Sequence, residues 1–547
     1  MAGATAVQKL ERNANEPIAN PRVTESLKFQ QHIFRVSRHS SVYFTGRMFA
    51  LAAGYFFKVY LTRELGAEAL GTYALGLTII GSLGIFNSFG ISRSATRFVS
   101  AYRATGQYEL LQGLLVRSVL LLLVSNLVFI LIMLLAGPFV ATHVYHAPAL
   151  GGYLWIFAAL MFFATFNTFL GRVLAGYKEV ARNTVLVTFV GMPLMMLATI
   201  AFVAFGWGLR GYLFAQAMAD ALVFVILSIT VWKLTPRKTR SYTGPLPKLE
   251  KKVISFSVIA LAMEFLGFLI FHADKIFLGI YLDPKQVGIY ALAAGLSAFV
   301  PIILQSVNQI FSPIISDLHS RHEYQLMGRM FQILTKWIFG FTFPLVATIV
   351  VFARPLMRIF GPEFEAGWAV LVVGSAGQLV NCVVGSSGSL LLMSGNEKHL
   401  LKIQTVTAIV TIVLDLTLIH PFGMLGAAVA AATTNVMVNL LYLKGACQQL
   451  NLFPYNRSYL RLIPAFSAAV LALFLVARLA HSQPRWVALL IGGLMAYASF
   501  AGMAMVMGLD SDDRMVANAL WSRIKRKFYS AEEMSDIYTG PSYGGNL

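Results

Sequence analysis

The residues of this sequence that could do chemistry are charges buried in apolar surroundings. Arg47, Lys58, Arg117, Arg172, Lys275 and Lys336 each fall inside a long apolar run, as do Glu264, Asp220, Asp274 and Asp415. A charge at bilayer depth is costly, so it faces a polar interior, a partner or a water-filled cavity. Spacing relates some of them. Lys58 and Lys275 are 217 residues apart, as are Arg47 and Glu264, while Arg117 and Lys336 are 219 apart within Leu115-Val116-Arg117 and Leu334-Thr335-Lys336. Arg47 and Lys58 are 11 residues apart, three helical turns, which puts both on one face about 16 Å apart; Glu264 and Lys275 repeat that geometry. Cations so placed could hold an anionic head group, because charge-assisted bonds strengthen in low dielectric. The acids could carry a coupling proton or sodium ion, with Asp274, Glu264 and Asp220 as candidates. The plainer readings are snorkelling for Arg117, Arg172 and Lys336 near span ends and simple neutralisation of Asp274 by adjacent Lys275.

Uncharged polar residues form stripes at helical spacing. One run carries Gln305, Asn308, Gln309 and Ser312; another Thr165, Thr168 and Arg172; a third Gln378, Asn381, Ser386, Ser387 and Ser389. Such stripes could line a lumen that hydrogen-bonds a polar head group, or simply pack helix against helix. Soluble-site chemistry is weak. Asp510-Ser511-Asp512-Asp513 has a two-carboxylate spacing, but it opens a tail with no nucleotide-binding domain, so helix capping is the better reading. There is no phosphate loop, dinucleotide turn or nucleophile set, and the cysteines, Cys382 and Cys447, are too few for a clustered metal site. No cofactor, metal or enzymatic activity is expected.

The elements that must position these residues are set by composition. The 547 residues are 57% hydrophobic and 12% charged, too few charges to coat soluble domains. Fourteen runs of about 20 residues follow one another, the length that crosses the hydrocarbon core: 41–61, 71–92, 113–137, 150–176, 184–205, 209–232, 254–282, 286–312, 329–352, 367–394, 400–420, 424–447, 459–480 and 485–508. None alternates with period two, so they read as helices, and the fold class is an all-α polytopic membrane protein. The net charge of +19 is mostly a topology signal rather than an affinity for nucleic acid. Placing the first residues inside, 30 of the 43 Lys and Arg fall in inner segments and seven in outer ones. That bias sets both termini in the cytoplasm. The expected organisation is a basic tail at 1–40, six spans over 41–233, a cytoplasmic linker at 234–253, six spans over 254–447, two extra spans within 448–508 and a basic tail at 509–547. Within the tails, Ser26–Ser40 and Asp513–Phe528 read as amphipathic helices on the membrane surface.

The two six-span halves are related. Leu65, Leu70, Gly71, Tyr73, Ala74 and Leu75 match Leu282, Val287, Gly288, Tyr290, Ala291 and Leu292 at an offset of 217. Gly208, Gly211, Ala215 and Ala217 match Gly423, Gly426, Ala430 and Ala432 at 215. An even number of spans per half inserts both in the same orientation, the parallel-repeat layout of many transporters, with the substrate between the halves.

Asp274-Lys275-Ile276-Phe277-Leu278-Gly279 followed by Val287-Gly288-Ile289-Tyr290-Ala291, the turn Phe360-Gly361-Pro362-Glu363-Phe364, and Gly395-Asn396-Glu397-Lys398 carry a family resemblance, with Leu65-Gly66 to Leu75 and Ala175-Gly176-Tyr177-Lys178-Glu179 as N-terminal counterparts. Over about 41–508 the chain resembles the Wzx-like lipid-linked oligosaccharide flippases of the multidrug/oligosaccharidyl-lipid/polysaccharide (MOP) superfamily. The resemblance implies two facing six-helix lobes that alternate between inward and outward openings. It also implies flipping of a polyprenyl-diphosphate-linked oligosaccharide across the cytoplasmic (inner) membrane for surface or exopolysaccharide synthesis. On that reading Arg47, Lys58, Arg117, Arg172, Lys275 and Lys336 serve the diphosphate, and Gln305, Asn308, Gln378 and Asn381 the sugar. The partners are then membrane lipids and a polymerase or co-assembly protein, with the chain itself a monomer. A multidrug antiporter of the same superfamily and a polytopic glycan polymerase or glycosyltransferase are the alternatives. Six span cations against four span acids lean away from a cationic drug, and the short, acid-poor outer loops lean away from the polymerase.

Overall fold

The computed structural model describes residues 21–479 and 485–508, with the backbone alone over 21–48 and at 51, 52, 310, 457, 485 and 486. Asp510–Asp513, the Asp513–Phe528 segment, residues 1–20 and the side chains of Ser26–Ser40 lie outside the described residues. Every regular element described is helical. Lipid explains this, because a span must satisfy its own backbone groups. The helix Tyr108–Phe139 exposes Leu120, Val124, Leu127, Leu131 and Leu135, an apolar stripe at helical spacing that suits acyl chains and not water.

Among the described residues, eleven helices are long and apolar enough to cross a membrane, or twelve if the bent pair Pro284–Ser297 and Ile302–Gln309 counts as one. Two of the eleven carry two apolar runs each. Pro21–Ser88 and Glu397–Leu450 have 68 and 54 residues, about 100 and 80 Å of helix, well beyond one ~30 Å core. Each is broken at a glycine, Gly66 (φ 77°) and Gly423 (φ 55°), a region that side chains disfavour and glycine adopts freely. Three segments differ from the sequence expectation. Residues 93–112 are not simply a loop: Ile91–Ala104 is an amphipathic helix burying Ile91, Ala95, Phe98, Val99 and Tyr102. The run 286–312 bends by 49° at the break before Ile302, where Pro301 supplies no N–H. The run 367–394 splits into Trp368–Val384 and Ser387–Met393 around Gly385 (φ 68°), whose Cβ would lie 2.3 Å from Thr335 Oγ1.

The chain packs as two units whose borders differ from those of the repeats. The first comprises 1–64, 82–137 and 152–262; the second 65–81, 138–151 and 263–547. In the first unit, the buried face of Ile91–Ala104 meets Phe166, Phe169, Leu170, Val173 and Leu174 of Leu154–Gly176 and Val223, Leu227 and Val231 of Gly208–Leu234. In the second, Phe311, Ile315, Met327, Phe331 and Leu390 form one core. The two extra helices, Leu462–Leu479 and Arg485–Val506, dock on Tyr324–Val351. Phe466 stacks between Phe343 (4.2 Å) and Phe339 (4.8 Å), and Tyr497 donates to the Phe341 carbonyl at 2.9 Å.

Candidate functional site

The second unit gathers the acids. Asp274 accepts from Tyr290 Oη at 2.6 Å on one carboxylate oxygen and pairs with Lys275 Nζ at 3.2 Å on the other. Tyr290 is fully buried, so its hydroxyl must find a partner and Asp274 supplies it. Asp415 is also fully buried, and neither of its carboxylate oxygens has a hydrogen-bond partner among the described residues. It is close enough to feel the charges of Asp274 and Lys275. A buried carboxylate left without partners is costly to keep charged. Tyr290, Ser297, Gln378 and Asn435 line a cavity of about 60 Å³, room for one or two small polar guests. No group of three or more His, Cys, Asp or Glu suited to a metal occurs among the described residues.

The matched cations have unlike surroundings. Lys275 is committed to Asp274 and to the Phe271 carbonyl at 3.3 Å. Lys58, its counterpart in the first unit, is half-buried, and its ammonium has no partner among the described residues. Arg117 donates to the Pro247 and Leu246 carbonyls at 2.6 and 2.8 Å. Lys336 is buried and donates to Ser458 Oγ at 3.3 Å. Both of these cations therefore tether the chain that leaves the sixth span of their repeat. Arg172 is exposed, and its carbonyl accepts from Thr96. The Arg47 side chain lies outside the described residues. Glu264 and Asp220 are half-buried, and the Asp220 carbonyl accepts from Asn167 at 3.0 Å.

The polar stripes divide as well. Gln378 accepts from Asn381 at 3.3 Å and reaches the cavity. Gln305 is exposed, and the Asn308 side-chain oxygen is buried with no partner among the described residues. In the first unit, Asn87 donates to Asn126 Oδ1 (2.8 Å) and Thr165 Oγ1 (3.0 Å) while Ser125 donates to Asn87, a closed network that uses up its own donors. Sequence reading singled out Thr165 but neither Asn87 nor Asn126, whose isolated amides carry no spacing signal. It also left Tyr290 out of the chemistry, since nothing local ties it to a carboxylate 16 residues earlier.

Residues 36–319 match the profile of the polysaccharide biosynthesis protein family, just over half of the chain. The chain belongs to that family. A second profile, MatE, matches residues 260–417. Among curated proteins, this family member is 24% identical to the probable low-salt glycan biosynthesis flippase Agl15 of Haloferax volcanii, over 74% of this chain and 82% of that protein. It is 21% identical to the probable flippase AglR of the same organism, over 77% and 85%. Among solved structures, the lipid II flippase MurJ in its inward closed conformation superposes with a TM-score of 0.62 at 14% identity, covering 84% of this chain and 98% of MurJ. An inward-facing multidrug resistance MATE transporter of the MOP superfamily gives 0.62 at 14%, covering 72% and 93%. The fold is that of this superfamily, and the family member is a multi-pass membrane protein.

Proposed function

We propose that the protein flips a polyprenyl-diphosphate-linked oligosaccharide from the inner to the outer leaflet of the cytoplasmic membrane, by alternating access and without covalent chemistry. The observation that carries this reading is Lys58, a half-buried cation on a spanning helix with no counter-charge among the described residues. Its repeat counterpart spends its charge on Asp274, whereas Lys58 keeps its own for an anionic ligand such as a diphosphate. The names of the Haloferax volcanii relatives, a probable glycan biosynthesis flippase and a probable flippase, support flipping, and the first of them a glycan cargo. Arg47, Arg117, Arg172, Lys275 and Lys336 remain proposed contributors, with Gln305, Asn308, Gln378 and Asn381 toward the sugar. Partners would be membrane lipids and a polymerase or co-assembly protein, with a monomer as the working unit.

The test is Lys58→Gln at normal protein level. Surface glycan is expected to fall roughly tenfold or more while the lipid-linked precursor accumulates, since a charge-assisted contact is lost. Wild-type export from this variant overturns the reading. For coupling, we assign the proton or sodium ion to Asp274 with Asp415, and to Glu264 and Asp220 as the other acids at depth. Flipping that survives collapse of every ion gradient removes that assignment. The MatE profile spans both Asp274 and Asp415, which favours an ion-coupled drug antiporter as the second reading. Drug efflux that needs Asp274 but not Lys58 would select it.

A further inference from the structure

The offset that relates the repeats reappears in the second unit as a physical contact. Gly71 and Gly288, 217 residues apart, lie backbone against backbone. A Cβ on Gly71 would stand 1.6 Å from the Pro284 carbonyl oxygen and 2.9 Å from Gly288 N, and one on Gly288 would stand 2.0 Å from the Ala67 carbonyl oxygen and 2.8 Å from Gly71 N. Ala67 and Pro284 are also 217 apart, so each glycine meets its partner and the residue four before it. That is the exchange of contacts a two-fold axis produces. Two related helix starts thus cross at a point where nothing larger than glycine fits.

Their first turns are capped differently. The helix Pro284–Ser297 caps itself: the Asp283 carboxylate accepts from Gln286 N at 2.8 Å. The position equivalent to Asp283 is Gly66, which has no side chain. The missing cap comes from Glu363, which accepts from Ala67 N at 2.5 Å and pairs with Lys285 Nζ at 3.6 Å. A little further along, Leu75 and Tyr145 close over Gly279, where a Cβ would lie 2.4 and 2.8 Å from them. The first repeat's segments 65–81 and 138–151 are therefore held to the second repeat by glycine contacts and one partly exposed carboxylate.

We propose that this crossing, capped in trans by Glu363, is a latch that parts in each transport cycle. Its opening releases Leu75 from Gly279 and Ala67 N from Glu363, whereas the start of Pro284–Ser297 keeps its own cap throughout. The idea of a cycle rests on the flippase reading; the contact itself does not.

The test labels Leu75→Cys with a membrane-impermeant maleimide in purified protein in nanodiscs. Mass spectrometry resolves residue 75 from native Cys382 and Cys447. Slow labelling is expected from the single variant. Adding Glu363→Gln is expected to speed it roughly fivefold, the usual worth of a helix cap, and Gly288→Leu to speed it further. Should Gly288→Leu fail to fold, the partly exposed Glu363→Gln and Lys285→Gln keep the test open. Labelling that none of these variants accelerates, in protein that melts and elutes like the parent, overturns the latch. Glycan export is measured separately. Accelerated labelling in a protein that moves no glycan leaves the latch standing and removes the flippase reading. Normal export with unchanged labelling does the reverse.

Discussion

Lys58 and Lys275 occupy one position of a duplicated sequence and have unlike surroundings. Lys275 is bound up with Asp274, and Tyr290 holds the other side of that carboxylate. Tyr290→Phe should therefore weaken the hold on Asp274 by about 1.5–3 kcal/mol, the worth of a hydrogen bond to a charge. The expected readout is a shift of roughly tenfold or more in the proton or sodium concentration giving half-maximal flipping, with little change in the response to Lys58→Gln. Asp415→Asn should abolish ion dependence while leaving thermal stability equal or higher, because a bare buried carboxylate becomes a neutral amide; a fall in melting temperature with coupling intact would contradict it. At this scale the sequence was half legible. It located the charges, because lipid makes any charge conspicuous, and the Asp274–Lys275 pair, because the two are adjacent. Their distant partners were hidden. Which oxygen Tyr290 reaches and which carbonyls Arg117 reaches depend on how helices far apart in sequence are packed.

At the scale of elements, the matched pair Arg117 and Lys336 also forms a duplicated tether. Arg117 ties down Leu246 and Pro247, and Gln112 adds a bond to the Tyr242 carbonyl at 3.1 Å. Arg117→Ala should speed amide exchange or proteolysis over 242–250 by roughly tenfold, the loss of bonds from a charged donor. The same linker is pinned by Tyr102, which donates to the Glu250 carboxylate beside Lys252 at 2.9 Å. The Tyr102 hydroxyl and then Lys252 hold the Glu250 carboxyl below its usual range. With the folded value depressed, this attachment is complete above the ordinary carboxylate pKa near 4.3 and is lost as pH falls through that region. Exchange protection over 248–252, corrected for the intrinsic pH dependence of amide exchange, should thus fall as pH drops below that ordinary value in the parent, and Tyr102→Phe should remove most of that pH dependence. The elements themselves were legible because bilayer thickness dictates run length. The exceptions fall where a single residue decides: Gly385 splits a run the hydropathy pattern shows as continuous, and Ile91–Ala104 hides behind its polar face.

Across the whole molecule, the proposed orientation rests on 30 inner and seven outer cations. A cysteine placed at 244 in the linker is expected to react with impermeant thiol reagents only from the cytoplasmic side; labelling of intact cells from outside would invert the topology. The duplication was legible as a constant offset, yet the packing borders were not, because they follow neighbours in space rather than ancestry. Segments 65–81 and 138–151 come from the first repeat and pack in the second unit, while 251–262 pack in the first. Neither half of the gene therefore encodes a complete core. Cut at the linker, the N-terminal fragment would carry two stretches with nothing to settle against, Gly66's arm would lose the carboxylate at Glu363, and the C-terminal fragment would be left with an open groove. Such fragments should be degraded when made alone and recover together when co-expressed. Whatever ancestor the two repeats came from, its copies are expected to need each other, each finishing the other's core.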